Sequence, residues 1–430
     1  MIEKYFQLRA HHTTIRTEII AGITTFLTMA YILVVNPSIL AKAGMDTGAV
    51  FTATALSALL GTLIMALYAK LPIAMAPGMG LNAFFAFTVV LSMGYSWEFA
   101  LTAVFLEGIL FIILTLFNVR ELIVDAIPLS QKHAISVGIG LFIAFIGLQD
   151  AGIIVHDKAT LVTLGNLGSP TAIICIFGLV LSSVLLTLRV KGALLIGIFA
   201  STLLAVFMGK AVLPHGALIQ APPSMAPTFM KFEWKHVLSS DMAIVLFTFL
   251  FVDLFDTIGT LVGVASQAGM LDEKGRFPNV KKALMADAIS TTAGAIFGTS
   301  TNTAYIESAA GVAEGGRTGL TTLVVAALFV LSLFLAPLFL MVPTAATAPV
   351  LILVGTFMME PVTKIPFSDY TESIPAFLAI IMMPLTYSIA EGIAFGMISY
   401  VLLKAITGRY KEITPVMYVL AALFLLKFFV

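Results

Sequence analysis

Six acidic side chains fall inside stretches that are otherwise almost wholly apolar: Glu107, Asp253, Asp256, Asp287, Glu307 and Glu314. The stretches 71–119, 236–273 and 283–316 that hold them contain no Lys or Arg. An ionisable group at the centre of a bilayer costs roughly 2.5–3.5 kcal/mol on insertion scales, so each is by default a functional candidate. A desolvated carboxyl with no neighbouring cation is a place where a proton can be taken up or released near neutral pH, which is the chemistry of a proton-coupled carrier. Asp253 and Asp256 are three residues apart and share a helix face, so both can look into one cavity. Asp287 lies among Ser290, Thr291 and Thr292, where hydrogen bonding between helices is expected. Glu107 and Glu314 are also read as structural. That leaves Asp256, Glu307 and Asp253 as the proton-coupling candidates.

The backbone around one of these acids has a counterpart elsewhere in the chain. Pro72, Pro77, Gly78 and Gly80 lead up to Asn82, and the hydroxyl- and amide-rich run Thr299, Ser300, Thr301, Asn302 and Thr303 leads up to Glu307. Proline lacks an N–H and glycine tolerates extended geometry, so the first run should begin as non-helical backbone. The second should do likewise, each becoming helix only at about Asn82 or Glu307. Such backbone survives at membrane depth only where it lines a cavity or is buried in protein, and a matched pair of broken segments points to a transporter's binding site. The aromatics Phe84, Phe85, Phe87, Tyr305, Phe251 and Phe255 lie near these polar residues in sequence. A planar heterocycle would use some of their faces for stacking.

The rest of the chain must position these groups. Its 430 residues are 60% hydrophobic and 11% charged, where a soluble protein carries about 25% charged residues, so a soluble enzyme is excluded. Lys+Arg and Asp+Glu balance at 23 each, and no dense basic stretch gives nucleic acid an electrostatic footing. Gly-x-Gly-Asp and helical His-x-x-x-His elements, the marks of intramembrane proteases, are absent from the sequence. A crossing of the hydrocarbon core takes about 20 apolar residues and must be helical when every backbone group has to be paired. Apolar segments fall near 17–40, 48–69, 72–93, 97–117, 133–151, 171–188, 192–208, 240–266, 281–298, 300–316, 318–341, 346–362, 374–388 and 390–406. The expectation is an all-α polytopic membrane protein of about fourteen segments. A last run, 413–430, is apolar and is either a further crossing or an interfacial helix. Cys175, the single cysteine, sits in an apolar run and is read as packing. The first sixteen residues lack an apolar h-region, so no removable signal is expected. With the N-terminus inside, residues such as Lys4, Arg9, Arg16, Lys70, Lys132, Arg189, Lys191, Arg317, Lys364, Lys404 and Arg409 collect on the cytoplasmic face. Lys42, Lys158, Lys210, Lys231 and Lys235 fall outside. This bias places both termini in the cytoplasm of a cell (plasma or inner) membrane protein.

The chain also repeats. Ala43-Gly44-Met45 recurs as Ala268-Gly269-Met270 at an offset of 225, which also carries Asn82 onto Glu307. Pro128 and Gly140 match Pro343 and Gly355 at 215, and Lys191-Gly192 matches Glu391-Gly392 at 200. Four matches in one order argue for two seven-segment halves, 1–235 and 236–430. Seven is odd, so the halves must be inverted relative to each other.

The runs Gly22–Pro37, Ala76–Phe85, Phe251–Thr260 and Thr303–Ser308 together resemble the AzgA-like purine permeases. These are the hypoxanthine/guanine/adenine branch of the nucleobase–cation symporter-2, or nucleobase-ascorbate transporter, superfamily. The resemblance covers essentially the whole chain. It implies a core domain of segments 1–4 and 8–11 and a gate domain of segments 5–7 and 12–14. Segments 3 and 10 would start as short strands that pair across the site. The activity implied is proton symport of purine nucleobases by alternating access, with no cofactor and the proton as coupling ion. By position the substrate-binding acids fall on Asp256 and Glu307, the third-segment asparagine on Asn82 and a first-segment contact near Thr28. Tyr305, Ile306, Phe84 and Phe251 complete the candidate binding set. The implied partners are the purine, the lipid bilayer and a second copy of the chain, since such permeases are often dimeric. The main alternative is an anion transporter or exchanger of the same superfamily fold. An anion site would exploit helix dipoles and avoid carboxylates, so Glu307 and Asp256 speak against it.

Overall fold

A computed structural model describes residues 2–117, 127–213, 217–270, 277 and 279–427, the side chains of Phe255, Leu426 and Lys427 lying outside the description. After a short turn of helix at Ile2–Phe6, the first segment is two helices, α1 (Ile15–Met29) and α2 (Ile32–Lys42). The Thr28 hydroxyl donates back to the carbonyls of Thr24 and Thr25 at 3.1 and 2.8 Å, and such back-bonding loosens a helix. At Ala30 and Tyr31 the backbone bonds shift to a tighter spacing, with Leu33 N bonded to Ala30 O and Val34 N to Tyr31 O.

Helix α3 (Thr47–Ile64) is capped by the Asp46 side chain and runs into a π-helical turn, Met65–Ala69, ended by Lys70 at φ +59°. Strand β1 (Met75–Pro77), the short helix α4 (Met79–Ala83) and a π-helical run Phe84–Ser92 make up the third segment. Then come α5 (Trp97–Leu116) and α6 (Leu129–Asp150). A hairpin, β2 (Ile154–Asp157) with β3 (Leu161–Leu164), precedes α7 (Pro170–Thr187) and α8 (Ala193–Phe207). The second half opens with α9 (Ser240–Gln267) and α10 (Val280–Phe297). Its broken segment is β4 (Asn302–Ala304) followed by α11 (Ser308–Ala313). Helices α12 (Gly319–Leu333), α13 (Ala336–Leu340), α14 (Thr344–Met358), α15 (Tyr370–Thr386), α16 (Ile389–Ile406) and α17 (Pro415–Lys427) complete the chain.

Eight helical runs among the described residues are long and apolar enough to cross a membrane, and shorter apolar helices accompany them. The protein is an all-α polytopic membrane protein whose segments 3 and 10 are broken by short strands. Boundaries move where capping overrides hydropathy. The fifth segment starts at Leu129 because Pro128 leads it in, and the thirteenth at Tyr370 because the Asp369 carboxylate accepts from Thr371 N. The exposed β2–β3 hairpin escaped the hydropathy reading, being a short amphipathic excursion between two apolar helices. The thirteen residues of α17 rise about 20 Å, short of a hydrocarbon core of about 30 Å. The helix packs on α16, and Phe424 meets Phe247 and Phe251 of α9.

The helices pack in two groups. In one, α5 lies on α10, α3 on α10 and α12, and α1 on α11 and α12. In the other, α6 lies on α14 and α15, α15 on α16, and α7 on α8 and α14. Close approach in the second group depends on Gly140 and Gly355. A Cβ on Gly140 would meet Gly355 O at 2.9 Å, and a Cβ on Gly355 would meet Gly140 O at 2.5 Å. The two repeated Ala-Gly-Met triplets also have a common use. Gly44 and Gly269 sit at φ +87° and +67°, and the following Met45 and Met270 donate N–H bonds five residues back, to Leu40 O and Ala265 O. Both triplets are glycine C-caps that end a helix.

Candidate functional site

The two broken segments meet. Strands β1 and β4 pair antiparallel, Met75 opposite Ala304, Ala76 opposite Thr303 and Pro77 opposite Asn302. The ladder extends through Gly78 N to Thr301 O and Tyr305 N to Ala74 O, both at 2.9 Å. Two three-residue strands leave many edge groups, and side chains take them up. Thr62 Oγ1 both donates to Met75 O and accepts from Met75 N at 3.0 Å. Ser308 Oγ accepts from Ala74 N at 3.0 Å, and Thr291 Oγ1 donates to Asn302 O at 3.0 Å. Hydroxyls on the helices around the pair, those of Thr62, Thr291 and Ser308, are therefore the means by which irregular backbone is satisfied inside a membrane protein.

Glu307 stands at the start of α11, half-buried. Its Oε1 accepts a 2.5 Å hydrogen bond from the Tyr31 hydroxyl, and its backbone carbonyl lies 3.4 Å from Thr28 Oγ1. The break between α1 and α2 is what brings both first-segment side chains to this point. The carboxylate opens onto a cleft of about 270 Å³. Thr28, Ile306, Glu307 and Ala310 line one wall, and Leu186, Val190, Ala193, Leu194 and Phe357 the other, so the cleft runs between the two helix groups. Among the described residues no Lys or Arg lines it. At its rim Glu314 pairs with Lys191 at 2.8 Å. A larger hollow of about 450 Å³ near His11, His12 and Arg317 carries no acidic lining among the described residues.

Asp256 is half-buried on α9, within electrostatic reach of Glu307, Asp287 and Tyr31. Asp253 and Asp287 are buried, and the Thr257 hydroxyl stands 2.9 Å from one and 3.0 Å from the other, joining α9 to α10. Glu107 is buried and accepts from Thr301 Oγ1 at 2.6 Å.

The remaining sequence candidates are placed as follows. Ile306 is exposed in the cleft. Tyr305 is buried and donates to Pro77 O at 2.6 Å, bracing the strand pair. Asn82 is buried, its Oδ1 accepting from Ser300 Oγ, and its Nδ2 has no partner among the described residues. Phe84 packs edge-on against Phe249 at 4.8 Å. Phe251 stacks with Phe247 at 5.7 Å. The side chain of Phe255 lies outside the described residues.

Two polar residues escaped the sequence reading. Tyr31 is one, and its only signal was a phenol in the middle of an aliphatic segment. Glu18 is the other, a fully buried carboxylate that accepts from Arg317 N at 2.9 Å, Thr321 N at 3.1 Å and the Thr321 hydroxyl at 2.7 Å. It caps α12, a structural use of an anion at a helix N-terminus.

On the far side of the cleft the two helix groups are held together by a Lys42–Asp150 ion pair. Beside it the Thr88 hydroxyl donates to Tyr387 O at 3.2 Å, the Tyr387 hydroxyl donates to Gln149 Oε1 at 2.6 Å, and Phe87 meets the Tyr387 ring at 5.9 Å.

Residues 16–395 match the model of a family described as a permease family. Similar curated proteins include the guanine/hypoxanthine permease PbuO of Bacillus subtilis, 49% identical over 99% of this chain and 100% of that one. The adenine permease AdeP of Escherichia coli is 47% identical over 99% of this chain and 96% of that one. Among solved structures, the transmembrane domain of the cyanobacterial bicarbonate transporter BicA aligns with TM-score 0.65 at 16% identity, covering 88% of this chain and 96% of that one. The murine anion transporter Slc26a9 in its inward-facing state aligns with TM-score 0.65 at 11% identity, over 91% and 68%. At such identities the structures speak for the fold alone.

Proposed function

The chain belongs to this permease family, of the nucleobase–cation symporter-2 type, and from that premise we propose that it imports purine nucleobases by proton symport across the cell membrane. It is a multi-pass membrane permease rather than an enzyme. The observation that carries the substrate reading is the Glu307 carboxylate facing an otherwise apolar, cation-free cleft. A purine presents N–H groups on its ring edges and flat apolar faces. A carboxylate acceptor between aliphatic walls matches both, the charged hydrogen bond fixing orientation. Asp256 supplies a second acid toward the same region, Asn82 Nδ2 a donor for a ring carbonyl or nitrogen, and Thr28 and Ile306 the wall. Tyr305 acts through the strands. Phe84 and Phe251 pack behind the site. An anion would meet Glu307 and Asp256 as repulsion, so the fold it shares with anion transporters does not extend to their substrates.

The coupling proton is assigned to Asp256, Glu307 or Asp253. The moving-body reading treats segments 1–4 and 8–11 as a core carried against a gate of segments 5–7 and 12–14. Its support is the packing in two groups, with the cleft between them. Support for inverted halves comes from contacts between repeat equivalents. Pro77 faces Asn302, an offset of 225, and Gly140 touches Gly355. Residues related by a two-fold axis meet in this way where the axis passes between them. Cytoplasmic termini rest on the basic-residue bias, and association with a second copy rests on the resemblance alone.

Uptake of radiolabelled hypoxanthine, challenged with guanine, adenine, xanthine and uracil, tests the substrate. Competition by purines and not by uracil is expected; inhibition by anions alone would overturn it. A protonophore should abolish accumulation in sodium-free buffer, whereas a sodium requirement insensitive to the protonophore would overturn proton coupling. Chemical cross-linking in the membrane should give a dimer-sized product; a monomer alone would remove the self-association.

A further inference from the structure

We propose that Tyr31 is a positioning and specificity residue for the substrate, holding Glu307 so that the carboxylate meets the purine with one oxygen only. This rests on the reading of Glu307 as the substrate's acceptor. Tyr31 is buried, its hydroxyl 2.5 Å from Glu307 Oε1. It is fixed there by the restart of the first segment as α2 at Ile32.

A carboxylate at the end of a three-torsion side chain keeps one rotation only where bonds fix it, and besides its own backbone N–H it needs a second anchor. The Tyr31 hydroxyl supplies one. A hydroxyl carries a single proton, and that proton is given to Oε1, so the bond selects the state in which Oε1 is an acceptor. The second oxygen, Oε2, is left for a ligand N–H. The site then reads one N–H with a pre-oriented acceptor, so little rotamer freedom remains to be lost on binding. A neutral heterocycle with an N–H donor meets these requirements. A ligand offering only acceptors finds the donor of the pair already used.

Tyr31→Phe removes the hydroxyl and keeps the ring. Hypoxanthine affinity is expected to fall about tenfold, as for loss of one hydrogen bond to a charged group, and its pH dependence to change, with expression and thermal stability as in the wild type. In a Glu307→Gln background the same substitution should change affinity less than twofold, since Tyr31 acts through the carboxylate. If Tyr31→Phe does not fold, a fluorinated tyrosine incorporated at position 31 retains shape and hydroxyl but makes the phenol a stronger donor. The pH profile of binding should then move in steps with the degree of fluorination. Unchanged affinity and pH profile in Tyr31→Phe, or no response to fluorination, would overturn the assignment while Glu307→Gln still weakens binding. If Glu307→Gln binds hypoxanthine like the wild type, the substrate reading fails instead, which distinguishes the two failures.

Discussion

The arms that meet at the strand pair have the same backbone plan and different chemistry. Each is a three-residue strand followed within a few residues by a short helix. At matched positions one carries Asn82 and the other Glu307. Asn82 is buried and tied to Ser300 of the opposite arm, whereas Glu307 is half-buried, tied to Tyr31 of the first segment and open to the cleft. The geometry occurs twice, and the side chains divide the work. One arm clasps the other, which faces the cleft.

The largest effect tests whether both arms travel together. Cysteines replacing Lys42 and Asp150 would join the two helix groups where the ion pair now does. Bridging the two thiols with a reductant-cleavable bis-maleimide should arrest uptake and a reductant restore it. Continued transport by the cross-linked protein would mean that the arms need not move against the second group.

Glu307→Gln sharpens the contrast most directly. Losing a charge-assisted hydrogen bond of roughly 1.5–3 kcal/mol should weaken purine binding at least about tenfold, with thermal stability little changed. Wild-type-like hypoxanthine binding would remove Glu307 from the site. Gly140→Leu probes the packing of α6 on α14, within the second helix group. Its Cβ would meet Met358 Cβ at 2.6 Å, and overpacking of about 1–3 kcal/mol should appear as a lower melting temperature in detergent with purine affinity retained. A loss of affinity without loss of stability would contradict the division between groups.

Ser300→Ala takes the donor from Asn82 Oδ1. A cost of about 0.5–1.5 kcal/mol in stability is expected, with affinity changed far less than in Glu307→Gln. Equal effects on affinity would erase the distinction between the arms. The smallest effect lies at the surface. The Arg409 guanidinium, aided by Thr371, holds the Asp369 carboxyl well below the usual carboxylate range. A depressed folded-state value means stabilisation that is present at neutral pH and lost on acidification. Asp369→Asn should therefore lower thermal stability at pH 7 and converge with the wild type in acid, leaving both arms untouched.

Much of this was legible in sequence because membrane depth punishes irregular backbone. Pro72, Pro77, Gly78 and the hydroxyl run at 299–303 pointed to broken segments rather than kinked helices, the family resemblance added paired strands, and the strand pair is there. The Ala-Gly-Met repeats were legible because a left-handed cap calls for glycine. The break at Ala30 and Tyr31 was not, since neither Pro nor Gly marks it and its contributor is a threonine bonding to its own helix. Nor was Tyr31's contact with Glu307 legible, because 276 residues separate them and only tertiary packing joins them. Hydropathy misplaced the starts at Leu129 and Tyr370, since caps outrank apolar periodicity at helix ends. The buried packing of Phe84 and Phe251 shows why aromatic proximity in sequence is weak evidence for stacking on a ligand.

Strand β1 is synthesised more than two hundred residues before the strand that completes its ladder. While the ribosome works through that interval, the first half must sit in the bilayer with an incomplete strand edge, sheltered by the Thr62 hydroxyl and neighbouring helices. Assembly of the site is therefore a late event in biogenesis, dependent on the second half's insertion. A chain truncated before β4 should be a substrate for membrane quality control, and two half-chains produced together should rescue each other where either alone is degraded.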